Sequence, residues 1–172
     1  MIFLTVGTQF PFDRLVRGVD RAAGAGEIRD VVFAQVGIGG YKPEHLQWVE
    51  QLDRGTFIQK VRESRAIIAH AGMGTILTAL EAGKPLLVMP RQRKFGEAVN
   101  DHQTAMARRF AALGHVLMAR DETELPRVLP AIASFRPSPR RATGDGIVRR
   151  LRIFLDKLGR PGHGLKKPDP SA

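Results

Sequence analysis

Short apolar runs recur along the chain from residue 2 to residue 118, each with the length of a buried β-strand. Continuous apolar runs of this kind, without alternation, are typical of strands that are covered on both faces of a sheet. The pattern predicts six strands, at Ile2–Val6, Val31–Val36, Trp48–Leu52, Ala66–Ala69, Leu86–Met89 and Val116–Met118.

Segments with helical spacing lie between these runs. In the first segment the apolar residues follow the i, i+3, i+4, i+7 pattern of one helix face; they are Phe12, Leu15, Val16 and Val19. Asp53 is placed to cap a second helix, which is predicted to bury Phe57, Ile58 and Val61. Further helices are predicted from Thr75 through Leu80, from about Asn100 to Leu113 and over Glu122–Ala133.

Alternation of strands and helices predicts the fold class. Such a chain forms βαβ units with right-handed crossovers, and hence an α/β fold with a Rossmann-like parallel sheet covered by helices on both faces. These sheets bind ligands outside the carboxyl ends of their strands. Three glycine-containing turns follow predicted strands and are expected to open on that edge, at Gly7-Thr8, Gly37–Gly40 and Gly72–Thr75.

Composition limits the kind of protein. The 172 residues are 43% hydrophobic, which suits one α/β domain with a core. The absence of cysteine excludes disulfides and thiolate metal sites and agrees with a reducing compartment. No run approaches the roughly 20 apolar residues of a membrane-spanning helix, and the start MIFLTVGTQF lacks the features of a signal peptide. We therefore expect a cytoplasmic protein.

The composition changes after Phe135, which divides the chain into a domain and a basic C-terminal part. We predict a folded domain over residues 1–135, a linker over 136–146, an amphipathic basic helix over 147–158 and a disordered tail over 159–172.

The formal charge of +10 lies mostly in this C-terminal part. Residues 136–172 hold ten Lys or Arg against three Asp or Glu, whereas residues 1–135 hold 17 against 14. A basic segment beside a nearly neutral domain suits an anionic membrane surface or an acidic partner at least as well as nucleic acid, and a solvated tail without a ligand is the simpler alternative. With one Trp and one Tyr, the domain also lacks the aromatic pattern of nucleic-acid binders.

The strongest chemical motif is Ala69-His70-Ala71-Gly72-Met73-Gly74-Thr75, which lies between an apolar strand and a helix. Glycines let backbone amides approach an anion closely, and the helix N-terminus adds a favourable partial charge. The pattern indicates a phosphate or diphosphate, but it is neither a Walker A motif nor GxGxxG. His70, just before the turn, is equally well explained as a histidine that closes a buried strand.

A second polar motif follows the fifth predicted strand. Its residues are Pro90-Arg91-Gln92-Arg93-Lys94-Phe95-Gly96-Glu97 and then Asn100-Asp101-His102-Gln103. Amides and carboxylates suit sugar hydroxyls, and basic groups suit phosphate or a carboxylated sugar. Helix capping by Asn100 or Asp101 explains one of these side chains but not four in succession.

Together these segments resemble the C-terminal domain of family 28 glycosyltransferases, the MurG-like GT-B group. They are similar above all to its short, free-standing members, which include the catalytic subunit of the eukaryotic dolichol-linked GlcNAc transferase and bacterial exopolysaccharide proteins. The matching stretches are Met1–Val16, Gln35-Val36-Gly37 and the block from Ala66 to Gln103, with HAGMGT, GKPLLVMPR and NDHQ.

The resemblance implies a UDP-sugar donor and no metal or other cofactor. Its diphosphate would lie on two glycine turns, its uracil edge on the main chain after the third strand, and its sugar on the second polar motif. The implied residues are Gly7, Thr8, Gly72, Gly74 and Thr75 for the diphosphate, Leu52 for the uracil, and Asp101, His102 and Gln103 for the sugar, with Arg91 and Glu97 lining the same loop.

The resemblance also implies a partner. The short members pair with a membrane-anchored subunit that binds a lipid-linked acceptor, so we expect an inverting transferase that is inactive alone and is recruited to the cytoplasmic face of a membrane. His70 is the only local candidate for the catalytic base. Thr78, Met73 and Ala98 depart from frequent family residues, which leaves the transferred sugar open. A non-catalytic module that senses a sugar nucleotide is the alternative.

Overall fold

A computed structural model of the protein describes residues 1–138. Its centre is a six-stranded sheet in the order β3-β2-β1-β4-β5-β6, and every neighbouring pair is parallel. The predicted α/β, Rossmann-like fold is therefore confirmed. The strands are β1 Ile2–Thr5, β2 Val32–Gln35, β3 Gln47–Val49, β4 Ala66–His70, β5 Leu86–Met89 and β6 Leu117–Met118.

Helices connect the strands and cover both faces of the sheet. They are α1 Asp13–Gly24, α2 Arg54–Glu63, α3 Met73–Glu81, α4 His102–Ala112 and α5 Leu125–Val128, with 3₁₀ turns at Arg93–Phe95 and Leu129–Ala133. Because successive strand residues point to opposite faces, Leu4 packs in the core beside α1 and α5, and Phe3 packs in the core beside α2, α3 and α4.

The strand order reverses between β1 and β4, and this reversal positions the site. β1 pairs with β2 on one side and with β4 on the other. Crossovers leave in opposite directions at such a switch point, so a crevice opens beyond the carboxyl ends of the two strands. The turns that contain Gly7 and Gly72 lie at these two ends.

Two elements differ from the sequence prediction. β3 begins and ends earlier than Trp48–Leu52, and just beyond its last residue the Gly37 amide donates to the Glu50 carbonyl (2.9 Å). The predicted helix over Glu122–Ala133 is divided into α5 and a 3₁₀ turn that starts at Leu129 with Pro130 in its first turn, a residue that cannot donate a helical hydrogen bond.

Asp53 caps α2 as predicted, because its carboxylate accepts from the Thr56 amide (3.0 Å). The prediction that α2 buries three apolar side chains was wrong for two of them. Val61 is buried, whereas Phe57 and Ile58 are only half-buried because they line a cleft.

Most of the predicted linker over 136–146, and all of the helix over 147–158 and the tail over 159–172, lie outside the described residues. Within residues 1–138, none of the helices has the length and apolar character needed to cross a bilayer.

Candidate functional site

A cleft of about 850 Å³ opens at the carboxyl edge of the sheet, where the loops after β1, β4 and β5 meet. It brings together eleven of the twelve residues that the sequence singled out: Gly7, Thr8, Leu52, His70, Gly72, Gly74, Thr75, Arg91, Glu97, His102 and Gln103. Asp101 is the exception, since its carboxylate accepts from the Arg93 amide (2.8 Å) and does not line the cleft.

The start of α3 supplies hydrogen-bond donors to this cleft. Gly72 is the N-cap residue, and no side chain caps the helix. The Ile76 amide donates to the Gly72 carbonyl (3.0 Å), so the amides of Met73, Gly74 and Thr75 have no partner within the helix. Such amides, reinforced by the helix dipole, form a binding site suited to an anion.

His70 separates the two glycine turns. Gly7 has a φ of +80°, and a Cβ there would lie 2.7 Å from His70 Cε1. A Cβ at Gly72 would overlap His70 Nε2. Both turns therefore require glycine because the imidazole ring fills the space between them.

Burial and, to a smaller extent, the positive charge of the neighbouring Arg91 guanidinium together lower the pKa of His70 from 6.5 to about 4. The ring is thus neutral at neutral pH. Its Nδ1 is buried without a hydrogen-bond partner among the described residues. A neutral ring beside the amides of α3 adds no positive charge to the anion site.

This shift predicts a pH dependence of stability. Between pH 6.5 and about 4 the unfolded chain binds a proton at residue 70 that the folded chain does not, so the free energy of unfolding should fall by about 3 kcal/mol at most as the pH drops through this window. Urea denaturation of the wild type and of His70→Gln at several pH values measures it. An equal slope in the two proteins would contradict the assignment to His70.

A buried polar network fixes the turn after β1. The Thr5 hydroxyl donates to Gln35 Oε1 (2.5 Å), Gln35 Nε2 donates to the Gly7 carbonyl (2.7 Å), and the Gly7 amide donates to the Thr5 hydroxyl (3.2 Å). The sequence prediction did not assign this role to Gln35. Its signal is a glutamine that ends an otherwise apolar strand, because such a group needs a buried partner.

Arg91 holds the same turn from the other side. Its guanidinium donates to the carbonyls of Val6 (2.9 Å), Phe10 (2.6 Å) and Pro11 (2.7 Å). The residue is 5% exposed. Both terminal nitrogens of the guanidinium thus donate within the protein, and Arg91 shapes the cleft wall through the backbone that it binds.

The loop of residues 92–101 makes the third wall of the cleft, which its residues 97–100 line. Glu97 is paired with Arg14 of α1, whose Nε and Nη2 each lie 2.9 Å from one of its carboxylate oxygens. Gln103 Oε1 accepts from the Arg91 amide (3.2 Å). The charged groups expected to meet the ligand are therefore partly engaged in holding this wall.

The opposite end of the cleft is apolar. Leu52, Phe57 and Ile58 line it together with Arg54. The sequence prediction assigned only Leu52 to the site, because a helix face that packs against the sheet and one that faces a ligand have the same apolar pattern. The third glycine turn does not join the cleft, since Gly37 packs against Pro11.

These features define a class, a doubly wound α/β domain with a cleft at its switch point whose backbone amides are suited to an anion. The model of the glycosyltransferase family 28 C-terminal domain matches residues 1–145, and the chain belongs to that family. The expected resemblance is confirmed.

Curated relatives match parts of the chain. The UDP-N-acetylglucosamine transferase subunit ALG13 of Homo sapiens is 29% identical over 124 residues, which are 67% of this chain and 10% of the human protein. The protein of the same name from Eremothecium gossypii is 40% identical over 58 residues, or 34% of this chain and 27% of that protein. The chain thus spans a minor part of each.

Solved structures share the fold. An NMR structure of ALG13 has a TM-score of 0.57 at 22% identity, with 87% of this chain and 93% of that chain covered. The kitacinnamycin glycosyltransferase has a TM-score of 0.60 at 18% identity and is covered to 43%. Os79 from O. sativa, solved with UDP, has a TM-score of 0.57 at 14% identity and is covered to 35%.

Proposed function

We propose that this domain binds a UDP-sugar and is the donor-binding part of a split, inverting glycosyltransferase. The observation that carries the proposal is the start of α3, where unpaired amides at Gly74 and Thr75 face an open cleft whose other wall is the Gly7 turn. Membership of the family and the likeness to UDP-N-acetylglucosamine transferase subunits support this choice of donor.

The same geometry suits the chemistry of the departing UDP. In an inverting transfer the acceptor hydroxyl attacks the anomeric carbon, the glycosidic bond to the diphosphate breaks, and negative charge grows on the leaving group. Backbone amides at a helix start are rigid donors already oriented towards such a charge. The half-buried side chains of Phe57 and Ile58 give the uracil ring an apolar surface at the other end of the cleft.

We infer that the acceptor and the general base come from a partner. Five large apolar side chains are exposed on loops and the helix start at the carboxyl edge of the sheet, and Phe10 (66%) and Val99 (91%) are among them. Exposed apolar patches of this kind mark surfaces that other molecules cover. The five are Phe10, Ile38, Met73, Phe95 and Val99.

The partner that we propose is a membrane-anchored subunit that binds a lipid-linked acceptor at the cytoplasmic face. The likeness to the ALG13 transferase subunits supports a second subunit.

One observation favours the second candidate, a non-catalytic module that binds a sugar nucleotide. Glu97 is tied to Arg14, and His70 is enclosed and neutral, so neither is placed to take a proton from an acceptor. His102, a third titratable residue of the cleft, is exposed, and its Nδ1 is hydrogen-bonded to Asn100 Oδ1.

Calorimetric titration of the full chain with UDP, UDP-GlcNAc, UDP-glucose, UDP-galactose and UDP-glucuronate tests donor binding, with ADP as the control. Binding of UDP but not of ADP supports both candidates. No measurable UDP binding, together with tight and salt-dependent RNA binding, would contradict both. Reconstitution with a membrane-anchored candidate partner then separates them, because only an enzyme subunit restores sugar transfer to a lipid acceptor.

Gln103 is expected to influence the sugar more than the nucleotide. It lines the cleft at the start of α4, directly after the wall made by residues 92–101, and its Oε1 accepts from the Arg91 amide. Gln103→Ala should lower the affinity ratio between the preferred UDP-sugar and its competitors by about tenfold, with little change for UDP, because one polar group on the sugar side is lost. Thr104→Ala, the next residue, is the matched control. Equal losses for UDP and UDP-sugars would contradict the role.

A further inference from the structure

Arg14 ties α1 to the cleft wall formed by residues 92–101. Its guanidinium is bidentate to Glu97, and Nη1 also donates to Glu122 Oε2 (2.6 Å). The side chains of Arg14 and Glu97 are only 11% and 12% exposed. A bidentate pair that is largely screened from water fixes orientation as well as distance.

Aromatic packing adds to this contact. The Arg14 guanidinium lies over the Phe95 ring at 4.4 Å from its centroid. Arginine stacks on an aromatic ring while its fork binds a carboxylate, which lysine cannot reproduce. Arg14 therefore contacts the wall at two of its residues.

Two hydrogen bonds within residues 92–101 also hold this wall in shape. Glu97 Oε2 accepts from the Gln92 amide (3.0 Å), and the Asp101 carboxylate accepts from the Arg93 amide. Gly96, at φ +70°, reverses the direction of the backbone after the 3₁₀ turn at Arg93–Phe95. Because the first of these two closures uses the same carboxylate that Arg14 holds, loss of Arg14 would free the centre of the wall.

The residues that follow this reversal face the cleft. Val99, Asn100, His102 and Gln103 all line it within a few residues of Glu97. Arg14 itself does not line the cleft, and it lies on the helix that follows the Gly7 turn. It therefore acts on the ligand-facing groups through Glu97, which lines the cleft, and through the loop that Glu97 closes.

We propose that Arg14 is a positioning residue, which through Glu97 holds residues 92–101 in the shape that selects the sugar of the nucleotide donor. The proposal rests on the proposed function, because it assigns the sugar end of the same cleft. It predicts that loss of the ion pair weakens UDP-sugar binding more than UDP binding, since the amides of α3 that would hold the diphosphate have no contact with this pair.

The test compares the affinities of Arg14→Met for UDP and for the UDP-sugar that the wild type binds best. We expect the UDP-sugar affinity to fall about tenfold more than the UDP affinity, the effect of losing a charged hydrogen-bonded contact. Arg14→Lys should give a smaller effect in the same direction. Arg21→Met, an exposed arginine on the same helix, is the control and should change neither affinity.

A double-mutant cycle tests whether Arg14 acts through Glu97. Glu97→Gln and Arg14→Met remove the same ion pair, so the combined variant should show about the same loss of the UDP-sugar to UDP ratio as either alone. Equal losses for UDP and UDP-sugar, or additive effects in the cycle, would overturn the proposal.

Hydrogen–deuterium exchange of the ligand-free chain gives a readout that does not depend on the proposed function. Arg14→Met should speed exchange of the amides in residues 92–101 and leave those of α2 and β4 unchanged. Unchanged exchange in 92–101 would overturn the proposal even if UDP binds. Failure of the wild type to bind UDP would remove the proposed function and the sugar-selecting role, while faster exchange would still establish that Arg14 holds the loop.

Discussion

Replacing Gly74 by leucine is expected to abolish UDP binding while the fold stays intact. A Cβ at this position meets nothing within 4 Å, so the new side chain enters the cleft without a clash. There it covers the amides at the start of α3 that would hold the diphosphate. We expect the UDP affinity to fall at least about 100-fold, since anion binding at a helix start requires close approach to the backbone. The free energy of unfolding should not fall, because leucine favours a helix more than glycine does.

Calorimetric titration and chemical denaturation of the same samples measure the two effects. Gly74→Ala should be intermediate in UDP affinity, and Glu81→Leu, an exposed position at the end of the same helix, should bind like the wild type. Wild-type UDP affinity in the leucine variant would remove the diphosphate from this helix start and contradict the proposed function.

Arg91→Met should cost the fold about 4 kcal/mol, because three charge-assisted hydrogen bonds to buried or half-buried backbone are lost and their carbonyls are left unpaired. Burial lowers the pKa of Arg91, and the nearby Glu97 carboxylate opposes this, so the guanidinium stays charged and its charge is partly balanced. We also expect weaker UDP binding, since the Gly7 turn is held by these bonds.

Urea denaturation at neutral pH measures the loss. Arg91→Lys keeps the charge but cannot reach three carbonyls in fork geometry, so it should recover only part of the stability. Arg65→Met, on an exposed arginine paired with Asp30, is the control, and we expect a change below about 1 kcal/mol there. Wild-type stability in Arg91→Met would show that the three carbonyls are satisfied in another way.

The sequence alone was sufficient for the fold because its signals are local and repeated. Apolar runs of strand length, helical spacing between them and glycine turns after Val6 and Ala71 each depend on neighbouring residues only. Parallel sheets of this class then place such turns on one edge, so the cleft and most of its lining were also predictable.

The partners of the charged side chains were not predictable. Arg91 and Glu97 stand six residues apart in a polar loop, yet one binds carbonyls near residue 10 and the other binds Arg14. Sequence patterns show that such groups need partners but do not identify partners about 80 residues away. The same limit applies to Phe57, since an apolar side chain on a helix suits a core and a ligand pocket equally.

The imidazole between the two glycine turns has a consequence for redesign of the donor pocket. Positions 7, 70 and 72 occupy one shared volume, so a smaller residue at 70 would be needed before Gly72 could gain a side chain. Gly7, at φ +80°, would be strained by any side chain even then. Position 74 has free space and can be varied alone. A library that keeps glycine at position 7, varies 70 and 72 jointly and varies 74 independently would therefore contain far more folded members than one that treats all four positions alike.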